Sequence, residues 1–304
     1  MKVLIIQIRQ LGDVLLSSPL AKALKENLKN CEVHFLTSQV GSEILKGNPY
    51  IDRIIPLKEG SLGELRTLPH IRKEKYDAVI DVQRTGRSQR LTFFSGAPLR
   101  IAFRKPYKNW PYNRTVEWEN RDYTVWERLK LLEALNIKLN NLQNYMPEFF
   151  NFLKTDLPFS NPYITLIPTS RRENRIWNYK KLSQIIEFIY NNYKLPAVIL
   201  YGPGEKDKIL SLKSLIKTPV FIPQKALRIG ESAFIIKKSK LFIGFESFGS
   251  HLSIACRTKT LVITKKHTGW FPEKEWIREV YSENTFPEVE KVEKVIEELI
   301  NEKL

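Results

Sequence analysis

The sequence predicts an α/β protein made of two Rossmann-like domains, each with a parallel sheet. Three observations carry this. Near-continuous apolar runs, such as VLII at 3–6, YDAVIDV at 76–82, YITLIP at 163–168 and LFIGF at 241–245, suit strands covered on both faces. Between them lie stretches with helical apolar spacing, the rhythm of right-handed βαβ units. That rhythm stops in the polar residues 136–161, broken by Pro147 and Pro158, and then starts again. The 304 residues therefore divide into domains of 1–150 and 151–304, each long enough for its own core.

The first strand ends in the loop Arg9-Gln10-Leu11-Gly12-Asp13, after which Leu16, Leu20, Leu24 and Leu28 recur at helical spacing. Pro19 is tolerated if it lies in that helix's first turn, with Ser17 or Ser18 as cap. Gly12 permits a tight turn and close approach of a ligand. Asp13 puts a carboxylate at the carboxyl rim of the sheet, where open α/β sheets hold ligands. It can act as a general base toward a hydroxyl, or simply cap the helix.

Residues 32–37 (EVHFLT) read as the second strand and Gly47-Asn48-Pro49 ends the short helix after it. Residues 53–57 (RIIPL) form a third strand with Pro56 at its end, and a helix fits 62–75. The strand at 76–82 leads into the polar loop 83–87, a helix from about Ser88 and a strand at 99–103 (LRIAF). Residues 104–122 break the pattern with prolines, basic residues and aromatics. Such a loop suits a sugar phosphate, the head group of an anionic lipid or stacked bases, or is a surface loop with anchoring rings. An amphipathic helix at 123–135 precedes the linker.

In the second half, strands read at 163–168, 196–201, 220–222, 241–245 and 260–264, the last taken as the final strand. Helices read at 179–193, after Glu205, at 229–238, at 247–256 and at 287–304, the last placed to pack back on the first domain. A ligand is expected in the cleft between two such domains. Thr169 and Ser170, the loop cations Arg171, Arg172 and Arg175, the Gly202-Pro203-Gly204 turn, and Ser247, Ser250 and His251 at a helix start all end strands at one rim. Free N–H groups and the helix dipole there favour an anion such as a nucleotide diphosphate.

Composition sets the bounds. Forty-two per cent hydrophobic and 27% charged residues describe a globular protein. No apolar run approaches the ~20 residues of a membrane span, and the amino terminus, with Lys2 its one early charge, reads as strand and not as a signal peptide. Cys31 and Cys256 lack metal-ligand spacing and read as reduced thiols of a cytoplasmic protein. Forty-nine basic residues against 33 acidic give +16, which favours anionic partners unless it reflects a general lysine bias. Nucleic acid is not the expected one: no helix-turn-helix, RNA-recognition or zinc signature is present.

The order of these pieces resembles glycosyltransferase family 9, the ADP-heptose:lipopolysaccharide heptosyltransferases, over most of the chain. IRQLGDVLLSSPLAKAL is similar to that family's opening signature, whose loop Asp is the proposed catalytic base and maps onto Asp13. PTSRRENRIWNYKKLSQII is similar to its donor-site loop, VILYGPGEKDK to its Gly-rich strand end, and KLFIGFESFGSHLSIA to its Asp-Ser/Thr-Gly-x-x-His-Leu motif. The resemblance implies a GT-B fold and inverting transfer from a nucleotide sugar, with ADP-heptose as donor and a lipopolysaccharide core or lipid A-type acceptor. It implies Asp13 as base and Thr169, Ser170, Arg175, Gly202, Glu205, Glu246, Ser247, Ser250 and His251 as the donor site, with Lys265 or Lys266 able to add charge. On the acceptor side Arg9, Gly12, Arg104 and Lys105 are the candidates. It implies no tightly bound cofactor; Mg2+ would accompany the nucleotide, since no Asp-x-Asp cluster is present. The place of work would be the cytoplasm, at the anionic inner membrane face. The chain departs from the family pattern at Glu246 (Asp), Phe248 (Gly), Arg175 (Lys) and 264–268, TKKHT where a Gly-Pro-Thr turn is usual. A family-9-like protein that binds nucleotide or glycan without catalysis is the alternative these departures motivate.

Overall fold

A computed structural model describes residues 1–58, 60, 62–119, 122–158 and 162–301. Parts of three expected features therefore lie outside the described residues: 120–121 of the basic-aromatic loop, 159–161 of the linker and 302–304 of the last helix. The chain divides into two compact units, Met1–Asn151 and from Phe152 onward.

The first unit runs β1 (Lys2–Ile6), α1 (Leu11–Ser17), α2 (Pro19–Asn27), β2 (Glu32–Ser38), α3 (Gln39–Leu45), β3 (Arg53–Leu57), α4 (Gly63–Lys73), β4 (Ala78–Asp81), α5 (Gly86–Phe94), β5 (Leu99–Phe103), β6 (Arg114–Val116) and α6 (Thr124–Leu129). Its strands form one parallel sheet in the order β3-β2-β1-β4-β5-β6. Val3, Leu4, Ile5 and Ile6 are wholly buried, as a central strand between two helical layers must be. The direction of winding reverses between β1 and β4, so the crevice at their carboxyl ends is the natural ligand position.

The second unit repeats the plan. It runs β7 (Ile164–Ile167), α7 (Tyr179–Tyr193), β8 (Ala197–Ile199), α8 (Lys206–Lys213), β9 (Val220–Phe221), α9 (Ile229–Lys238), β10 (Leu241–Phe245), α10 (Phe248–Ala255), β11 (Thr260–Ile263), β12 (Ile277–Val280) and α11 (Val289–Asn301). The sheet order is β12-β11-β10-β7-β8-β9, again all parallel, with its switch between β7 and β10. Read from its own first strand, this is the same order as in the first unit. No helix among the described residues is long and apolar enough to cross a membrane.

Several local expectations are corrected. The opening helix is two: α1 ends at Ser17, and Pro19 occupies the first turn of α2, where its missing N–H costs nothing. Ser18 holds the N-cap position of α2 as expected but makes no side-chain cap; the Ser17 and Ser18 hydroxyls donate back to the carbonyls of Asp13 and Leu15, each at 2.8 Å. The loop before it is shorter than expected, and the left-handed residue is Gln10 (φ 67°), not Gly12. The 123–135 helix is α-helical only through Leu129; a 3₁₀ stretch, Lys130–Leu135, follows and closes on left-handed Asn136. Two strands were not expected: β6 inside the basic-aromatic loop and β12 after β11. The expected linker is packed in part: Tyr145, Met146 and Phe149 are buried, and Tyr145 accepts from Asn27 at 3.3 Å. α11 buries Val292, Ile296 and Leu299 in the core of its own unit, against α7 and β12.

Candidate active site

In the first unit the site is built on the turn between β1 and α1. The Gln83 side chain, from the carboxyl end of β4, accepts from the N–H groups of Ile8 (2.6 Å) and Arg9 (2.7 Å). Gln10 then turns the chain at a backbone conformation that non-glycine residues adopt at a cost, and its carbonyl accepts from Val14 at 3.0 Å. This places Asp13 in the first turn of α1, where the helix dipole favours a negative charge. The position before the helix is Gln10, so Asp13 is not the cap.

Asp13 instead meets Arg128, which reaches over from α6. One guanidinium nitrogen donates to the Asp13 carboxylate Oδ1; the other donates to the Asp13 carbonyl (2.6 Å) and to Ser17 Oγ (2.8 Å). The Arg128 side chain is 7% exposed and that of Asp13 25%. The carboxylate is thus fixed from the protein side while part of it stays open to solvent. Ile8, Arg9, Gln83, Thr85 and Arg87, after the carboxyl ends of β1 and β4, line a pocket of 210 Å³; Asp13 is not among its lining residues. Arg9 belongs to this rim. Arg104 and Lys105 do not line it; Arg104 pairs with Glu117 at 3.0 Å, and both are exposed on the segment after β5. Gly12 is an ordinary member of the first turn of α1.

In the second unit the ends of β7, β8 and β10 are laced together by the expected residues. Glu205 Oε2 accepts from Thr169 Oγ1 (2.8 Å) and from the Gly202 N–H (2.7 Å). That carboxylate therefore holds the Gly-rich turn in shape. Ser170 Oγ donates to the Glu246 carbonyl at 3.4 Å, and Arg175 Nη2 pairs with Glu246 Oε1 at 2.8 Å. Burial pushes the Glu246 carboxyl up from its ordinary value, and the Arg175 charge opposes this. Burial likewise lowers Arg175, opposed by Glu246.

α10 begins directly after this acid. Gly249 lets its first turn sit close to β7: a Cβ there would lie 2.8 Å from Ile167 Cδ1. Ser250 is fully buried, and its hydroxyl donates to the Phe245 carbonyl at 2.6 Å. The hydroxyl is turned inward, so what this turn offers a ligand is backbone N–H. Ser247 Oγ is buried with no hydrogen-bond partner among the described residues. His251 is 6% exposed and stacks on Phe271 at 5.1 Å between ring centres. Phe248 is the first residue of α10 and partly exposed. The 264–268 turn is organised by Glu279 of β12, which accepts from Thr264 Oγ1 (3.2 Å) and Thr268 Oγ1 (2.9 Å) and pairs with His267 Nδ1 (3.0 Å). Lys265 lies over the Phe286 ring, and the Lys266 charge bears on Glu246.

Arg128, Gln83 and Glu279 were not foreseen. Arg128 acts on a residue 115 positions earlier; the one trace in the sequence is an arginine on the buried side of a short helix. Among the described residues, Glu32, His34 and Glu74 bring metal-ligand atoms together. They lie at the amino ends of the strands, and the Lys2 ammonium already pairs with both carboxylates.

Two parallel six-stranded sheets of one winding order, each with polar groups gathered at its switch point, define an α/β protein of the GT-B type. The family model described as glycosyltransferase family 9 (heptosyltransferase) matches residues 65–286, and the chain belongs to this family of glycosyltransferases. A relative from Campylobacter coli, lipopolysaccharide heptosyltransferase 1, is 24% identical over 286 residues, covering 86% of this chain and 83% of its own. The structure of a family 9 glycosyl transferase from Veillonella parvula superposes with a TM-score of 0.86 at 15% identity, covering 99% of this chain and 98% of that one. That of the Escherichia coli ADP-heptose lps heptosyltransferase II does so with a TM-score of 0.83 at 15% identity, over 99% and 98%.

Proposed function

We propose that the protein is an inverting transferase that moves a heptose from ADP-heptose to a hydroxyl of a lipopolysaccharide core acceptor. The observation that carries the reading is Asp13: a carboxylate at the carboxyl end of the central strand, fixed by Arg128 and still reachable. In this mechanism Asp13 takes the proton of the acceptor hydroxyl. The oxygen forms the new bond to the anomeric carbon as the bond from that carbon to the diphosphate breaks, and ADP carries away the electron pair. The negative charge growing on the leaving diphosphate is met by Arg175, Lys266 and the N–H groups opening α10. Arg9 and its neighbours around the 210 Å³ pocket hold the acceptor. Any Mg2+ arrives with the nucleotide. This donor and acceptor are supported by the likeness to the Escherichia coli ADP-heptose lps heptosyltransferase II and to the Campylobacter coli lipopolysaccharide heptosyltransferase 1.

The test is transfer from ADP-heptose to a truncated lipopolysaccharide core, followed by release of ADP. Asp13→Asn is expected to lose roughly 10²–10⁴ in turnover, the usual share of a general base, with ADP affinity within about two-fold. Wild-type turnover by that variant removes Asp13 from the mechanism. A second reading, nucleotide or glycan binding without transfer, is favoured by the Arg175–Glu246 pair, which already neutralises the donor-side cation. Calorimetry that finds ADP-heptose binding with no ADP release over a panel of acceptors selects it.

A further inference from the structure

Nine large apolar side chains are exposed among the described residues, and three of them meet at one place in the first unit: Phe93 (40% exposed), Phe94 (47%) and Trp110 (59%), with Tyr107 (81%) three residues before Trp110 on the same loop. Phe93 touches Phe94 and Trp110 edge-on, with ring centres 5.1 and 4.8 Å apart. Arg100 lies over Phe93 at 5.9 Å. The surrounding segment 93–116 carries Arg100, Arg104, Lys105, Lys108 and Arg114 and not one acidic residue.

The loop that presents these rings is tied down from below. Asp81 is fully buried and accepts from the Tyr112 hydroxyl (2.7 Å) and the Arg84 N–H (2.9 Å). Arg84 Nη2 donates to the Lys108 carbonyl (3.0 Å) and Asn109 Oδ1 (3.1 Å), and Gln89 Nε2 donates to the same Lys108 carbonyl at 3.0 Å. Asn109 Nδ2 closes the turn onto the Lys105 carbonyl at 2.6 Å. The backbone is thus held while Lys105, Tyr107, Lys108 and Trp110 point to solvent. A loop fixed before binding loses little freedom when it binds.

We propose that this face docks the protein on an anionic lipid bilayer. Trp110 and Tyr107 enter the head-group layer, and the exposed Lys105 and Lys108 beside them meet lipid phosphates, Arg104 being paired with Glu117. Rings with a polar edge settle at that depth, and a surface with an excess of basic charge is drawn to an anionic leaflet. A second copy of the chain is a poor partner, because the face would meet its own positive charge. The inference is independent of the transferase reading, since vesicle binding requires neither donor nor acceptor, and its failure leaves that reading as it stands.

The full chain is sedimented with vesicles of phosphatidylglycerol and phosphatidylcholine, with vesicles of phosphatidylcholine alone, and with a single-stranded oligonucleotide. Binding is expected to the first only, weakening with salt. Lys108→Glu should weaken it about 25-fold, at roughly five-fold per unit of charge near the surface. Trp110→Ser should weaken it further, and Lys108→Arg should restore it. Both sites are exposed, so circular dichroism and melting should match wild type. The proposal is overturned if wild type shows no preference for anionic vesicles, or if Lys108→Glu and Trp110→Ser bind them as wild type does. It is also overturned if the oligonucleotide is the ligand whose binding these substitutions abolish.

Discussion

Replacing Arg128 with Met tests whether the cation on α6 sets the position of Asp13. The substitution removes three hydrogen bonds, to the Asp13 carbonyl, the Asp13 carboxylate and Ser17 Oγ. Breaking a wholly buried ion pair costs about 3–5 kcal/mol. Asp13 is a quarter exposed and can hydrate once its partner is gone, so the expected cost is about 2–3 kcal/mol, near that of one or two hydrogen bonds to a charge. In a unit of this size that lowers the melting temperature by about 5–10 °C. Asp13→Asn keeps an acceptor toward Arg128 and should cost about 1 kcal/mol or less. The double variant should be less destabilised than the sum of the two, by about 1 kcal/mol or more, because the residues touch. Scanning calorimetry gives the stabilities. Turnover of Arg128→Met should fall about 10–100-fold, since a base displaced by an ångström is inefficient. A variant as stable as wild type, or an Asp13→Asn more damaging to stability than Arg128→Met, would refute the argument.

Three other outcomes are expected. Gly249→Ala drives a methyl into Ile167 and should cost about 1–3 kcal/mol as an overpacked contact, with weaker ADP binding in calorimetry because the start of α10 moves. Glu205→Ala frees the Gly202 N–H and the Thr169 hydroxyl; the turn loosens, and ADP affinity should drop about ten-fold or more, since each hydrogen bond to a charge is worth about 1.5–3 kcal/mol. Lys2 hydrogen-bonds Glu74 and Glu32 and holds both carboxyls below their ordinary range. A depressed carboxyl adds stability above its unfolded value, near about 4.3, and loses it as pH falls through the folded one. Lys2→Met should therefore cost about 1 kcal/mol near neutrality, and urea melts should show the difference closing toward about pH 3.

The central strands were legible because burial on both faces leaves an apolar run that no surface constraint interrupts; β1, β4, β7 and β10 are such runs. The edges were not. β6 is RTV and β12 is IREV, short and interrupted by charge, and a parallel edge strand needs only backbone to pair. The same division holds at the site. Asp13, Thr169, Arg175, Glu205 and His251 could be placed because each follows a recognisable strand end. Their partners could not, because the Arg128 contact depends on how α6 lies beside α1. Ser250 shows a further limit: its position was readable, but the inward turn of its hydroxyl follows from how closely α10 sits on β10. The tight turn was expected at Gly12 on residue type, whereas the positive φ lies at Gln10, at the exit from β1.

Among the described residues each unit keeps its strand pairings to itself, and this makes residue 152 a seam. A chimaera joined there would carry everything around Glu205 and Glu246 as one block and leave everything around Asp13 and Arg128 behind, with no ladder cut on either side. On the transferase reading proposed above, selectivity for what leaves and for what receives would then be inherited as separate halves, exchangeable between relatives by a single crossover in the gene.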